Sequence, residues 1–162
     1  MSVALAALEA TIHVRGPKST RAIPIGDFHL LPGNTPDRET VLEPGELIAD
    51  VTLPPPVVGS KQVYLKLRDR TSYEFALASA AVVVATAESN VTRARIALGG
   101  VGTKPWRSPE AETALAGQAA DATSFRKAAE AALRDAKPQS ENGFKTELAK
   151  RCLARALQMA AG

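Results

Sequence analysis

Few residues in this chain are of types and spacings that do chemistry. His13 and His29 lie in the first segment, and neither has a carboxylate, cysteine or second histidine at a spacing that defines a site. Both read as strand or surface histidines. The single cysteine, Cys152, falls within a stripe of alanine and leucine, where a free thiol behaves as a small buried hydrophobe rather than a nucleophile. It cannot form an internal disulfide, and no Cys/His cluster has metal-ligand spacing.

Two further features carry cations. Gly99-Gly100-Val101-Gly102 precedes Lys104-Pro105-Trp106-Arg107, and a glycine-rich turn with flanking cations can cradle phosphate. The spacing matches neither dinucleotide fingerprint nor P-loop, however, and no helix follows at once. Tight packing at a strand end explains the glycines as well and is the preferred reading. Lys66 stands between Leu65 and Leu67 on a short β-prone run, so its side chain leaves the sheet on the opposite face from theirs. On the residues alone it is a solvated strand lysine.

The elements that must position these residues follow from pattern. Thr11 to Val14 and Thr20 to Ile25, separated by a Gly16-Pro17 turn, predict a hairpin. Residues 31 to 46 hold Pro32, Gly33, Asn34, Pro36, Pro44 and Gly45 and should be loop. Leu47 to Leu53 alternates, with Leu47, Ala49, Val51 and Leu53 on one face and Ile48, Asp50 and Thr52 on the other. That predicts a strand with one buried face. Pro54-Pro55-Pro56 ends it, and a domain boundary is expected near residue 58.

Beyond that point Val63 to Leu67, Phe75 to Thr86 and Val91 to Leu98 predict an antiparallel meander. Arg93 and Arg95 would lie on one face of its last strand, Ala94, Ile96 and Leu98 on the other. Ser108-Pro109-Glu110 has the signature of a helix start. Phe125, Ala128, Ala129, Ala132, Leu133 and Ala136 form an apolar helical stripe closed by Lys137-Pro138. A third helix aligns Phe144, Leu148, Cys152, Leu153, Ala156 and Leu157. The fold class expected is α+β: an antiparallel β-meander covered by about three C-terminal helices and preceded by a small β-rich segment.

Composition narrows the partners. The chain has 162 residues, 45% of them apolar, and a formal charge of +3, enough for one packed domain with an appended fragment. Residues 1–59 carry four basic and seven acidic side chains, and residues 60–107 carry eight and three. With only seven aromatics and no basic run interleaved with them, nucleic acid is not an expected ligand. The first ten residues lack a basic n-region and a long apolar stretch, so neither signal peptide nor membrane span is expected and a cytoplasmic location is.

Three stretches together carry a resemblance: Leu42-Glu43-Pro44-Gly45-Glu46-Leu47-Ile48, Tyr64-Leu65-Lys66-Leu67-Arg68-Asp69-Arg70, and Ala97-Leu98-Gly99-Gly100-Val101 with Lys104-Pro105-Trp106-Arg107. In this order and spacing, before alanine-rich helices ending in Ala149-Lys150-Arg151-Cys152-Leu153, the chain resembles the FAD-binding subunit of the xanthine dehydrogenase, aldehyde oxidase and carbon monoxide dehydrogenase family, the molybdenum hydroxylases. The resemblance implies that residues 1–57 are the C-terminal part of the second FAD-binding subdomain and residues 58–162 the flavoprotein C-terminal domain.

It also implies an electron relay: FAD takes electrons from iron–sulfur clusters, filled at a molybdenum cofactor on partner subunits, and passes them to NAD or oxygen. Ile48 falls where the family places an aliphatic side chain against the flavin, and Lys66 where it places a lysine near the ring. A cation there would stabilise negative charge on the reduced ring. Leu47 is a candidate by adjacency.

The family's Gly-rich phosphate loops have no counterpart in these residues. The chain alone is therefore expected to bind FAD weakly or not at all and to be inactive in isolation, with an N-terminal FAD-binding half as partner. Val3, Leu5 and Leu8 are expected to seek a partner surface, and homo-oligomerisation stays open. The alternative is a non-catalytic docking or scaffold module that no longer meets flavin.

Overall fold

A computed structural model describes residues 1–162, beginning with a short helix, α1 (Ser2–Ala7). β1 (Thr11–Arg15) and β2 (Thr20–Pro24) pair antiparallel as the expected hairpin, and one helical turn, α2 (Ile25–Phe28), follows. The proline-rich and glycine-rich loop then contains one isolated bridge, between His29 and Thr40. β3 (Leu47–Thr52) returns to pair with β1, completing a three-stranded sheet of order β2-β1-β3.

The second sheet is the expected meander. β4 (Ser60–Leu67), β5 (Ala78–Ala87) and β6 (Asn90–Gly99) pair in sequence order, and a two-residue strand, β7 (Trp106–Arg107), adds to β6. β7 is too short to show an alternation, so pattern reading missed it.

α3 (Pro109–Leu115) starts as its sequence requires, with the Ser108 hydroxyl accepting from the Ala111 N–H at 3.3 Å. In α4 (Ala122–Ala132), Asp121 caps the first turn by accepting from the Ser124 N–H at 2.8 Å. This helix stops short of the expected Ala136. The N–H groups of Arg134 and Ala136 bond to carbonyls three residues back, so the chain tightens into turns before Lys137-Pro138. α5 (Phe144–Ala161) is the third helix.

The meander is packed on both faces. On one, Val82 and Val84 of β5 and Ile96 and Leu98 of β6 meet Leu115, Phe125, Leu153 and Leu157 of the three helices. On the other, Ala81 and Ala97 join Ala7, Ile12, Val14 and Phe28 in a second core. Val3 and Leu5 pack against this second core. Each is only partly buried there, as Leu8 is beside them, so the chain's own sheet covers part of the apolar surface expected to seek a partner.

α1 can approach closely because β6 ends in glycine. A Cβ at Gly99 would stand 2.5 Å from Val3 Cγ2 and 2.7 Å from Ser79 Oγ. Gly100 adopts φ +75°, and a Cβ there would meet the Ala76 carbonyl oxygen at 2.8 Å. Packing therefore explains these two glycines.

Candidate functional site

β3 is positioned by the turn that precedes it. Gly45 adopts φ +85°, the Glu46 N–H bonds to the Glu43 carbonyl at 3.0 Å, and the Glu43 N–H returns to Glu46 Oε2 at 2.8 Å. Arg21 of β2 clamps the Glu46 carboxylate through Nε at 3.0 Å and Nη2 at 2.6 Å, and donates to the Val41 carbonyl at 2.7 Å. The Arg21 hydrogen bond holds the Glu46 carboxyl below its ordinary pKa, and the Glu43 N–H adds to this. At the far end, His13 Nε2 lies 2.9 Å from Thr52 Oγ1 and ties β1 to β3.

The strand so held is not the one the alternation predicts. All six of its residues are exposed: Leu47 at 73%, Ile48 at 48% and Val51 at 40%. Its partner register explains the faces. Ile12 stands opposite Val51 and Val14 opposite Ile48, whereas Thr11, His13 and Arg15 stand opposite Thr52, Asp50 and Leu47. The register shifts between His13 and Val14, leaving Ala49 without a partner as a β-bulge. Ile48 and Val51 therefore share the face of buried Ile12 and Val14, and Leu47 points the other way with Asp50 and Thr52. The expected single buried face is replaced by two half-apolar faces on an edge strand, because one extra residue breaks the period of two.

Lys66 lies on β4, in the other sheet, opposite Ser79. It is partly buried, and its ammonium donates to the Glu74 carbonyl oxygen. The segment it grips is internally tied: the Arg70 N–H donates to Glu74 Oε2 at 2.8 Å, and the Arg70 guanidinium to the Tyr73 carbonyl at 2.6 Å. This turn holds the exposed rings of Tyr73 and Phe75. Leu47 and Ile48 are thus side by side in the chain but on opposite faces, and Lys66 is presented separately from another sheet.

A charged network missed by pattern reading joins the two sheets. Glu9, at φ +56°, accepts from Arg95 at 2.6 Å and from Arg107 at 3.0 Å. Arg107 also reaches Glu112 at 2.7 Å and the Ala6 carbonyl at 3.0 Å. Burial opposes the charge on Arg107, but Glu112 and Glu9 keep its pKa raised. Arg95, expected on the same strand face as Arg93, is buried whereas Arg93 is exposed. No local spacing signals a partner so distant in sequence.

Beside this network lies a cleft of about 690 Å³ between α2 and the segment leading into β7, bordered by Ile25, His29, Leu31, Lys104, Trp106 and Arg107. Burial, with the Lys104 charge added, pushes the His29 pKa down, so its ring is neutral near pH 7. Cys152 is buried, with its thiol pushed up to about 11 by loss of solvent. No group of three or more His, Cys, Asp or Glu side chains could hold a metal ion, and no helix is long and apolar enough to cross a membrane.

Known proteins share this architecture. Residues 62–160 match the family described as the CO dehydrogenase flavoprotein C-terminal domain, and residues 1–56 match the FAD binding domain in molybdopterin dehydrogenase. The chain is 46% identical over 160 residues to the aldehyde oxidoreductase FAD-binding subunit PaoB of Escherichia coli K12, covering 97% of this chain and 46% of that protein. Among solved structures, the reconstituted CO dehydrogenase from Oligotropha carboxidovorans is similar at TM-score 0.88 and 28% identity, covering 99% of this chain and 56% of that one. Quinoline 2-oxidoreductase from Pseudomonas putida 86 is similar at TM-score 0.87 and 26% identity, covering 99% and 55%. The chain spans about half the length of the curated relatives it matches.

Proposed function

The chain belongs to the CO dehydrogenase flavoprotein C-terminal domain family, and from that premise we propose that it is part of the flavoprotein subunit of a molybdenum hydroxylase, where it helps to hold FAD. The observation that carries this reading is β3. It lies in the segment matching the FAD binding domain, and it offers Ile48 and Val51 half exposed beside a packed core. Covering the part of such a side chain that is still exposed is worth about 1 kcal/mol.

The residues present fit one part of the cofactor. An aliphatic strand face suits a planar ring, and a partly buried ammonium suits its electron-rich edge. Bound FAD would carry electrons between iron–sulfur clusters and NAD or oxygen. In this reading Ile48 packs against the ring and excludes water from it, and Lys66 holds a positive charge near it. Leu47, on the opposite face of β3 and more exposed than Ile48, is the weaker contact and is carried by adjacency alone.

Residues 1–57 then form part of the FAD-binding unit and residues 58–162 the flavoprotein C-terminal unit. The phosphate contacts then belong to an N-terminal FAD-binding half outside these residues, and the molybdenum cofactor and iron–sulfur clusters sit on further subunits. The test is co-elution of flavin absorbance with the purified chain on gel filtration, with and without a co-expressed N-terminal FAD-binding half. Flavin retained only with that half supports the reading. Loss of flavin in both cases moves the chain to a scaffold role.

A further inference from the structure

The cleft between α2 and the segment leading into β7 has no part in the flavin reading, since none of the residues that border it lies on β3 or β4. Its volume of about 690 Å³ falls in the range of about 300–1,000 Å³ in which proteins hold small molecules. Its walls are largely apolar: Pro24, Ile25 and Leu31 come from the end of β2, α2 and the loop beyond, and Pro105 and Trp106 from the entry to β7. Leu31 is still 62% exposed there, so the chain does not fill the cleft itself.

Four titratable side chains border this space, namely Glu9, His29, Lys104 and Arg107, and their charges are unequally matched. Glu9 is held by Arg95 at 2.6 Å and Arg107 at 3.0 Å, and Arg107 also grips Glu112 at 2.7 Å. His29 is neutral near pH 7. Lys104 is partly buried and in no ion pair. Its ammonium reaches towards α2 but stops 3.5 Å from the Gly26 carbonyl oxygen, the outer limit of a hydrogen bond. Its charge is felt at His29, so ammonium and imidazole face the same space. Glu39, the acid that acts on His29 in the opposite sense, does not border the cleft. What is left is one unmatched positive charge beside apolar walls, an arrangement that costs free energy until a counter-ion arrives.

We propose that this cleft is a binding site for a small organic monocarboxylate, with its carboxylate on Lys104 and its aliphatic body against Ile25, Leu31 and Trp106. The neutral imidazole of His29 has one ring N–H to give the same carboxylate. A dianion would bring a second charge for which this cleft has no free cation. The site shares no residue with β3 or Lys66 and does not depend on the flavin reading.

Trp106 is the only tryptophan in the chain, so its emission reports on this cleft. The experiment titrates the full chain with hexanoate, and separately with hexanamide, its neutral counterpart, at constant ionic strength. A saturable change in emission is expected for both, with hexanoate bound about tenfold tighter, the contribution of a charged hydrogen bond. Lys104→Met, which keeps the apolar stem, should bring hexanoate down to the level of hexanamide and leave hexanamide unchanged. Leu31→Asn, at an exposed position, should weaken both probes by about the same factor, roughly threefold, with the circular dichroism spectrum retained. No saturable change, equal binding of the two probes, or a preference for hexanoate that survives in Lys104→Met overturns the site. Loss of the hexanoate response on co-expression with an N-terminal FAD-binding half also overturns it, because the cleft is then an interface filled by polypeptide.

Discussion

β5 and β3 are both apolar strands, yet β5 is buried over eight consecutive residues and β3 is exposed over all six. The difference is position, not composition. β5 is central in its sheet, with α5 on one face and α1 on the other. β3 is an edge strand whose bulge at Ala49 turns its apolar residues to both faces. The C-terminal unit thus closes its core on itself, whereas the N-terminal sheet offers an unpaired apolar edge, the kind of surface that proteins otherwise protect.

Substitutions in the two regions should separate them sharply. Leu153→Ala, fully buried among the helices, should cost about 2–5 kcal/mol, whereas Val51→Ala on β3 should cost less than about 1 kcal/mol, both read from urea denaturation. Comparable losses would mean that β3 is as well packed as the meander. Gly99→Ala should cost about 1–3 kcal/mol through overpacking, since Val3 and Ser79 would have to move. Hydrogen exchange should then show α1 loosening while α5 stays protected.

A smaller effect is expected from Cys152. The folded chain holds the thiol proton more tightly than the unfolded one, so this contribution to stability is intact below pH 9.0. It should be lost as pH rises towards about 11. Cys152→Ala should remove that part of the pH dependence, and an unchanged profile in the variant would place the thiol in contact with solvent. Ile48→Asp, at a half-exposed edge position, is expected to cost about 1 kcal/mol, small enough to leave the chain folded.

Much of the architecture was legible because it rests on local signals. The Ser108-Pro109 start, the stripes of α4 and α5, and the strands flanking Glu88-Ser89-Asn90 all obey periods that neighbouring residues set. What was not legible depends on residues distant in sequence. The bulge opposite His13 is invisible in the β3 alternation, so the faces of Leu47 and Ile48 came out wrong. The Glu9–Arg95 pair joins residues far apart in sequence, and no local period separates buried Arg95 from exposed Arg93 on the same strand face. Lys66 was placed on the correct strand, but its grip on the Glu74 carbonyl needed a fold in the loop that no pattern announces.

The central claim is that the exposed β3 face is the flavin side of the molecule. Its most direct test is flavin fluorescence during FAD titration of the chain co-expressed with an N-terminal FAD-binding half, comparing the wild type with Ile48→Asp. The account predicts saturable quenching for the wild type and at least about tenfold weaker binding for Ile48→Asp, the effect expected when a charge is forced against an apolar contact, with the circular dichroism spectrum of the folded chain retained. Equal FAD affinity in the two proteins would contradict it.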